Sequence, residues 1–142
     1  MKLEHTKVIA LAALERLYNS VGWTRYTEDM TFLAAAIASS DHVVMAWDGD
    51  RLAGLARCVS DDVSIVYLQE MLVDPDYQKQ GLGRALTEDC LERYSHVPRK
   101  VLMTDDRPGQ IAFYKGMGFT NTRDLLETPL NVFVMMSDRE LR

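Results

Sequence analysis

Apolar positions along the chain change their period several times, and each change marks an element. Over residues 7–20, Ala10, Leu11, Leu14, Leu17 and Tyr18 recur at three-to-four spacing and Gly22 follows, which predicts a helix and its stop. The alanine-rich stretch 29–39 (DMTFLAAAIAS) predicts a second helix, and the intervening VGWTRYTED reads as a loop carrying two aromatics. The period then shortens to strand-like runs at 42–47 (HVVMAW) and 51–60 (RLAGLARCVS). These flank Asp48-Gly49-Asp50, a hairpin turn sequence. After a turn at Asp61-Asp62, the β-rich run 63–73 (VSIVYLQEMLV) stops at Asp74-Pro75.

A helical period returns near Gly81. Leu82, Leu86, Cys90 and Tyr94 form one column, Gly83, Thr87 and Leu91 the next, and Arg84, Glu88, Asp89 and Glu92 lie opposite. Residues 99–104 predict a short strand and 109–117 a helix that Gly118 ends. In the tail, Leu130, Val132, Val134 and Met136 alternate as in a half-exposed strand. The strand–helix–strand step from 63 to 104 requires a parallel pair, because such a crossover returns the chain in the same direction. The expected fold is therefore α/β (α+β): a mixed, mostly antiparallel sheet with one parallel strand pair and helices on both faces. No repeat or long linker divides the 142 residues, so 1–142 reads as a single domain.

Composition removes several function classes. With 47% apolar and 26% charged residues the mix is that of an ordinary globular protein. A net charge of −5 and the lack of a basic stripe argue against nucleic acid as partner and weakly favour a cationic small molecule or basic peptide. Nothing approaches the apolar run of about 18 residues that spans a membrane, and the N-terminus, broken by Glu4 and His5, does not read as a signal peptide. Cys58 and Cys90 form no short-spaced pair and lie at apolar positions, so both read as core residues. His5, His42 and His96 are far apart in sequence, so no metal site is expected. A reducing cytoplasm is the default compartment.

The chemistry concentrates in VDPDYQKQGLGRAL, residues 73–86. A β-run ends, a short loop follows, and a helix opens on Gly81-Leu82-Gly83-Arg84. The first N–H groups of a helix have no intrahelical partner and the helix dipole adds positive charge there, so an anion is favoured; glycine lets it approach without a Cβ in the way. Lys79 and Arg84 can add side-chain charge. The same glycines can also serve only to shape a tight turn. A dinucleotide fingerprint fits poorly, since its third glycine falls on Leu86, and no Gly-Lys-Ser/Thr exists for a P-loop.

The fuller pattern Gln78-x-x-Gly81-x-Gly83 resembles the acyl-coenzyme A signature of the GNAT superfamily of N-acetyltransferases. EMLVDPDYQ resembles that family's fourth strand and its exit, and IAFYKGMGF (111–119) is similar to its second motif, an aromatic pair followed by Gly-Phe. The element order matches across nearly the whole chain, and NSVGWTRYTED resembles the N-terminal loop of small bacterial members.

The resemblance implies that acetyl-coenzyme A, as co-substrate, enters a gap where strands 63–73 and 99–104 splay. Backbone groups of Met71, Leu72 and Val73 would bond the pantetheine arm. The diphosphate would rest on the stretch Gln78, Lys79, Gln80, Gly81, Leu82, Gly83, Arg84 and Ala85. The amine would attack the thioester directly. Tyr114 falls where the family places a general acid, and Glu70, beside the implied thioester, is the candidate base. Trp23 and Tyr26 either line the acceptor pocket or pack on the core. Arg107 stands where many relatives carry an asparagine that touches the cofactor, and would meet a phosphate or water instead. Two rival functions remain: a non-catalytic acyl-coenzyme A sensor, and a transferase acting on a protein N-terminus or lysine. Dimers are common among relatives, and the final strand is available to pair across a two-fold axis as a homodimer.

Overall fold

The computed structural model describes residues 1–137 of the chain. Two compact units divide it, Met1–Met103 and Thr104–Arg142. In the first unit, strand β1 (Lys2–Glu4) is followed by helices α1 (Leu11–Ser20), α2 (Thr24–Thr27) and α3 (Met30–Ala38). Strands β2 (His42–Asp48), β3 (Arg51–Ser60) and β4 (Ile65–Val73), helix α4 (Leu82–Arg93) and strand β5 (Arg99–Leu102) complete it. The five strands lie side by side in chain order, antiparallel except for the parallel pair β4–β5. The predicted mixed sheet is therefore present. Strand β1, which the hydrophobic pattern does not mark, adds to it: all three of its residues are exposed, so no buried face shows in its sequence.

Two bulges decide which side chains face which layer. Between β3 and β4, Arg57 pairs with Glu70 and Cys58 with Leu68, which leaves Gln69 as an extra residue on β4. An inserted residue inverts the alternation beyond it. Leu68 thus shares a face with Cys58, while Glu70 and Leu72 share the other with Arg57 and Leu55. On that second face Leu72 joins Leu14, Leu17 and Tyr18 of α1, Leu33 and Ile37 of α3, and Val43, Met45, Leu52 and Leu55 of the sheet in one buried cluster. A second irregularity leaves Ala53 as the extra residue on β3, so Leu52 and Leu55 reach the same core although three apart.

The opposite face receives α4, whose buried Leu82, Leu86, Thr87 and Cys90 follow the predicted column. Contact is close because β3 offers Gly54 there: a Cβ at this position would lie 2.9 Å from Leu86 Cδ1 and 3.2 Å from the Leu72 carbonyl oxygen.

The second unit holds α5 (Pro108–Gly116) and a short 3₁₀ turn at Thr122–Asp124. Salt bridges Lys115–Asp124 and Arg123–Asp106 tie the turn to its neighbours. The expected strand at 130–136 is not formed. Residues 128–137 carry no regular structure, and Leu130, Val132 and Val134 are exposed together with Phe133 (90%) and Met135. Two of the three positions that should be polar, Phe133 and Met135, are apolar, so the run defines no single face to bury.

Candidate active site

The loop from β4 to α4 is fixed at both ends by its own side chains. Asp74 accepts the Asp76 N–H and pairs with Arg51, which also bonds Asp76 and lies over the Tyr77 ring. Tyr77 donates to Asp48 at 2.6 Å, anchoring the loop to the β2–β3 hairpin. Burial works against the Asp74 charge, but Arg51 and the Asp76 N–H outweigh it and hold the carboxyl below its ordinary range. Gln78 Nε2 donates to the Val73 carbonyl at 3.0 Å, closing the loop onto the end of β4.

Between these anchors the backbone is left-handed at Lys79 (φ 62°) and again at Gly81 (φ 84°), the residue that opens α4. No side chain caps this helix. The Gln78 N–H is bonded to Pro75 and the Ala85 N–H to Gly81. That leaves the amides of Lys79 to Arg84 without a protein acceptor among the described residues. Such a curl of unpaired N–H groups at a helix N-terminus is a concave anion site. Of the stretch 78–85 expected to hold a diphosphate, the amides of 79–84 are the unpaired ones, and Gln78 braces the loop. Arg84 pairs loosely with Glu88 on the exposed side of the helix.

Next to this curl the sheet opens. Pairing of β4 with β5 ends at Leu68–Leu102, so from Gln69 onward the outer edge of β4 has no partner in the sheet. Asp74 N–H bonds the Ala53 carbonyl. By the two-residue period of an antiparallel ladder, Leu72 also bonds β3, while Met71 and Val73 present their backbone outward. Of the three residues expected to meet an extended ligand arm, Met71 and the Val73 N–H point outward, the Val73 carbonyl accepts from Gln78, and Leu72 faces β3.

Glu70 lies on the other face, 4% exposed, in a cluster that sequence reasoning misses. Arg57 (8% exposed) grips it with two parallel bonds, Nε to Oε2 at 3.0 Å and Nη2 to Oε1 at 2.9 Å, and also reaches Ser40. Tyr18 donates its hydroxyl to Glu70 Oε2. Burial lowers the basicity of Arg57, yet the Glu70 bonds and charge more than offset this and raise it. Burial, then the Glu70 charge, raise the Tyr18 phenol well above its ordinary value. Around Tyr18 stand Trp23 and Tyr26, with ring centroids 6.1 and 5.4 Å from it, and both pack on the α1–α3 core. The structure thus brings Glu70, Trp23 and Tyr26 together through Tyr18. Tyr18 reads as one more apolar helix position. Arg57, a lone cation in the apolar run LARCV, was the available signal for a buried partner.

Tyr114 is held differently, within the second unit. Helix α5 ends in a Schellman motif: the Phe119 N–H bonds the Tyr114 carbonyl, the Gly118 N–H bonds that of Lys115, and Gly118 has φ 99°. The accompanying contact is aromatic, with Phe119 and Phe113 both edge-on to the Tyr114 ring at 5.9 and 4.9 Å. FYKGMGF is thus a helix stop that frames one tyrosine, 8% exposed. Arg107 precedes α5, exposed, and bonds Asp105. Cys58 and Cys90 are buried free thiols. The Cys58 contact and burial raise the Cys90 thiol far above the range of a reactive cysteine.

Residues 25–138 match the family model described as an acetyltransferase (GNAT) domain. The chain belongs to the GNAT acetyltransferase family. It is 34% identical to an N-acetyltransferase, ycf52-like, of Prochlorococcus marinus over 80% of this chain and 64% of that protein. It is also 34% identical to the histone acetyltransferase TAP1 of Glycine max over 75% of this chain and 50% of that one. The chain therefore spans about half to two thirds of the length of these relatives. Among solved structures, a GNAT-family acetyltransferase of Streptococcus pneumoniae superposes with TM-score 0.78 at 28% identity, covering 95% of this chain and 98% of the other. As a GNAT domain, the chain carries its signature glycines at the unpaired amides and its aromatic motif at the α5 stop.

Proposed function

We propose that residues 1–142 act as one domain that transfers an acetyl group from acetyl-coenzyme A to a primary amine by direct attack. The unpaired amides of Lys79 to Arg84 carry this reading. A diphosphate would accept them, with Lys79 and Arg84 adding charge at the rim. The outward edge of β4 at Met71 and Val73 suits the amide-rich pantetheine arm, which would extend the sheet where β5 departs. That one family model runs from residue 25 to 138 supports a single working domain across the two compact units.

The amine attacks in its neutral form, after its ammonium proton passes to water. Attack on the thioester carbonyl forms the C–N bond, the adduct nitrogen releases its extra proton to solvent, and loss of the C–S bond releases a thiolate. A phenol with a pKa of about 10 transfers its proton to a thiol of about 8.5 uphill by roughly 2 kcal/mol. Tyr114 therefore acts as a hydrogen-bond donor that protonates sulfur as the bond breaks. Glu70 serves as a positioning residue and not as the base anticipated from sequence. To take a proton there it would have to give up a two-bond grip from a buried guanidinium. It orients Tyr18, and through it Trp23 and Tyr26, as one wall for the acceptor. The net charge of −5 favours a cationic amine on a small molecule or peptide.

Free-thiol release should appear when the chain meets acetyl-coenzyme A and a panel of primary amines, polyamines and basic peptides. Silence across the panel with coenzyme A still bound would turn the reading to a sensor. Gly83→Asp places a carboxylate at the amides. An acid in the first turn favours the helix, so the fold should hold while affinity for coenzyme A drops at least about tenfold by calorimetry. Unchanged affinity would remove the amides from the site.

A further inference from the structure

The three histidines are distant in sequence, but two of them meet in space, at Asp89 of α4. His5 directly follows β1, His42 opens β2, and Asp89 lies in the third turn of α4. His5 Nε2 is 2.8 Å from Asp89 Oδ2, and His42 Nε2 is 2.7 Å from Asp89 Oδ1. The imidazole centroids are 5.3 Å apart, and the ligand atoms of all three side chains lie within 4.8 Å of one another. Tyr94 packs edge-on against His42 and limits its ring to this direction.

From this geometry we propose that His5, His42 and Asp89 form a binding site for a divalent transition-metal ion of the zinc type. Two imidazole nitrogens and one carboxylate oxygen are the donor set of borderline ions. Magnesium and calcium call for oxygen ligands instead. Ligand atoms about 2.0–2.2 Å from a tetrahedral ion lie about 3.3–3.6 Å apart, so separations of 2.7–2.8 Å need to open by about 0.5–0.9 Å. The side chains permit it. His42 (11% exposed) and Asp89 (19%) are fixed by the fold, whereas His5 is 56% exposed and free to adjust. Its openness leaves the fourth position to water.

The three ligands come from three elements, so the ion clamps them together. Strand β1 gains most. It is three residues long, wholly exposed, and paired only with β2, and the ion would pin its end to α4. Binding to the folded state alone stabilises it by mass action. The site is independent of the proposed transfer reaction, since none of its residues belongs to the amide curl, the β4 edge or the α5 stop.

The test uses the full chain, stripped with EDTA and titrated with zinc chloride by calorimetry and thermal melting, with cobalt(II) as a spectroscopic probe. Expected are one ion per chain, a rise in melting temperature, and visible cobalt bands of low coordination number. His5→Ala and Asp89→Asn should each weaken binding at least about tenfold. His96→Ala, which alters an imidazole paired elsewhere with Asp62, should not. His5 is exposed, so its replacement leaves the apo fold intact and melting in EDTA checks this. No binding at micromolar zinc would overturn the proposal. So would binding that survives both His5→Ala and Asp89→Asn, or equal response to magnesium.

Discussion

Helix α1 ends in Tyr18-Asn19-Ser20-Val21-Gly22-Trp23, and helix α5 ends in Tyr114-Lys115-Gly116-Met117-Gly118-Phe119. In both, a glycine in the left-handed region (φ 79° at Gly22, 99° at Gly118) turns the chain. In both, the N–H of the following aromatic returns to the carbonyl of the tyrosine, Trp23 to Tyr18 and Phe119 to Tyr114, each at 3.0 Å. The two stops fix two tyrosine rings by the same local rule. The company of each ring differs. The Tyr18 hydroxyl is bound by the Glu70 carboxylate that Arg57 also holds; burial first, and then Glu70, make its proton hard to remove against the opposing charge of Arg57. Tyr114 is framed edge-on by Phe113 and Phe119 of its own helix stop. A local motif therefore aims a tyrosine, and distant residues decide what its oxygen can do.

The largest effect is expected on the α1 side. Glu70→Ala leaves Arg57 buried without its counter-charge and should cost about 3–5 kcal/mol in chemical denaturation. A loss below 1 kcal/mol would mean that the cluster is solvated. Removing one oxygen from each tyrosine separates the two roles. Tyr114→Phe should lower turnover at least about 100-fold while coenzyme A still binds. Tyr18→Phe should instead destabilise by about 2 kcal/mol, because Glu70 loses a hydrogen bond to a charged group. Reversed outcomes would exchange the tyrosines' assignments.

That pair also differs with pH. The folded-state pKa of Tyr18 is raised, so the unfolded chain releases this proton first, at about pH 10, and stability falls as pH rises from there toward the folded value. Tyr18→Phe should flatten this alkaline decline. The smallest effect tests the stops themselves. At neither Gly22 nor Gly118 would a Cβ meet anything within 4 Å, so alanine there costs only backbone strain, about 1 kcal/mol each in thermal melts. Gly118→Ala should lower turnover, whereas Gly22→Ala should act on the KM for the amine.

Features carried by local pattern were legible in the sequence. The β2–β3 hairpin around Asp48-Gly49-Asp50, the column Leu82, Leu86, Cys90 on α4, and the parallel return from β4 to β5 all follow from period and turn chemistry. So did the curl of unpaired amides, because glycine spacing and a helix start occupy one short segment. What could not be read depends on partners far along the chain. Arg57 and Glu70 meet across two strands at a bulge that shifts side-chain alternation, and His5 meets Asp89 across 84 residues. Strand β1 has no buried side to betray it, and the tail at 130–136 shows alternation that no partner in the sheet uses.

The missing methyl group at Gly54 acts as a depth gauge for the other side of the molecule. Since the Leu72 carbonyl behind it cannot yield, any added carbon would lift α4 away from the sheet, starting at Leu82 and Leu86. Those residues begin the same helix whose first amides face outward. A change in the middle of a strand, hidden from solvent, would thus retune the aim of a binding surface it never touches.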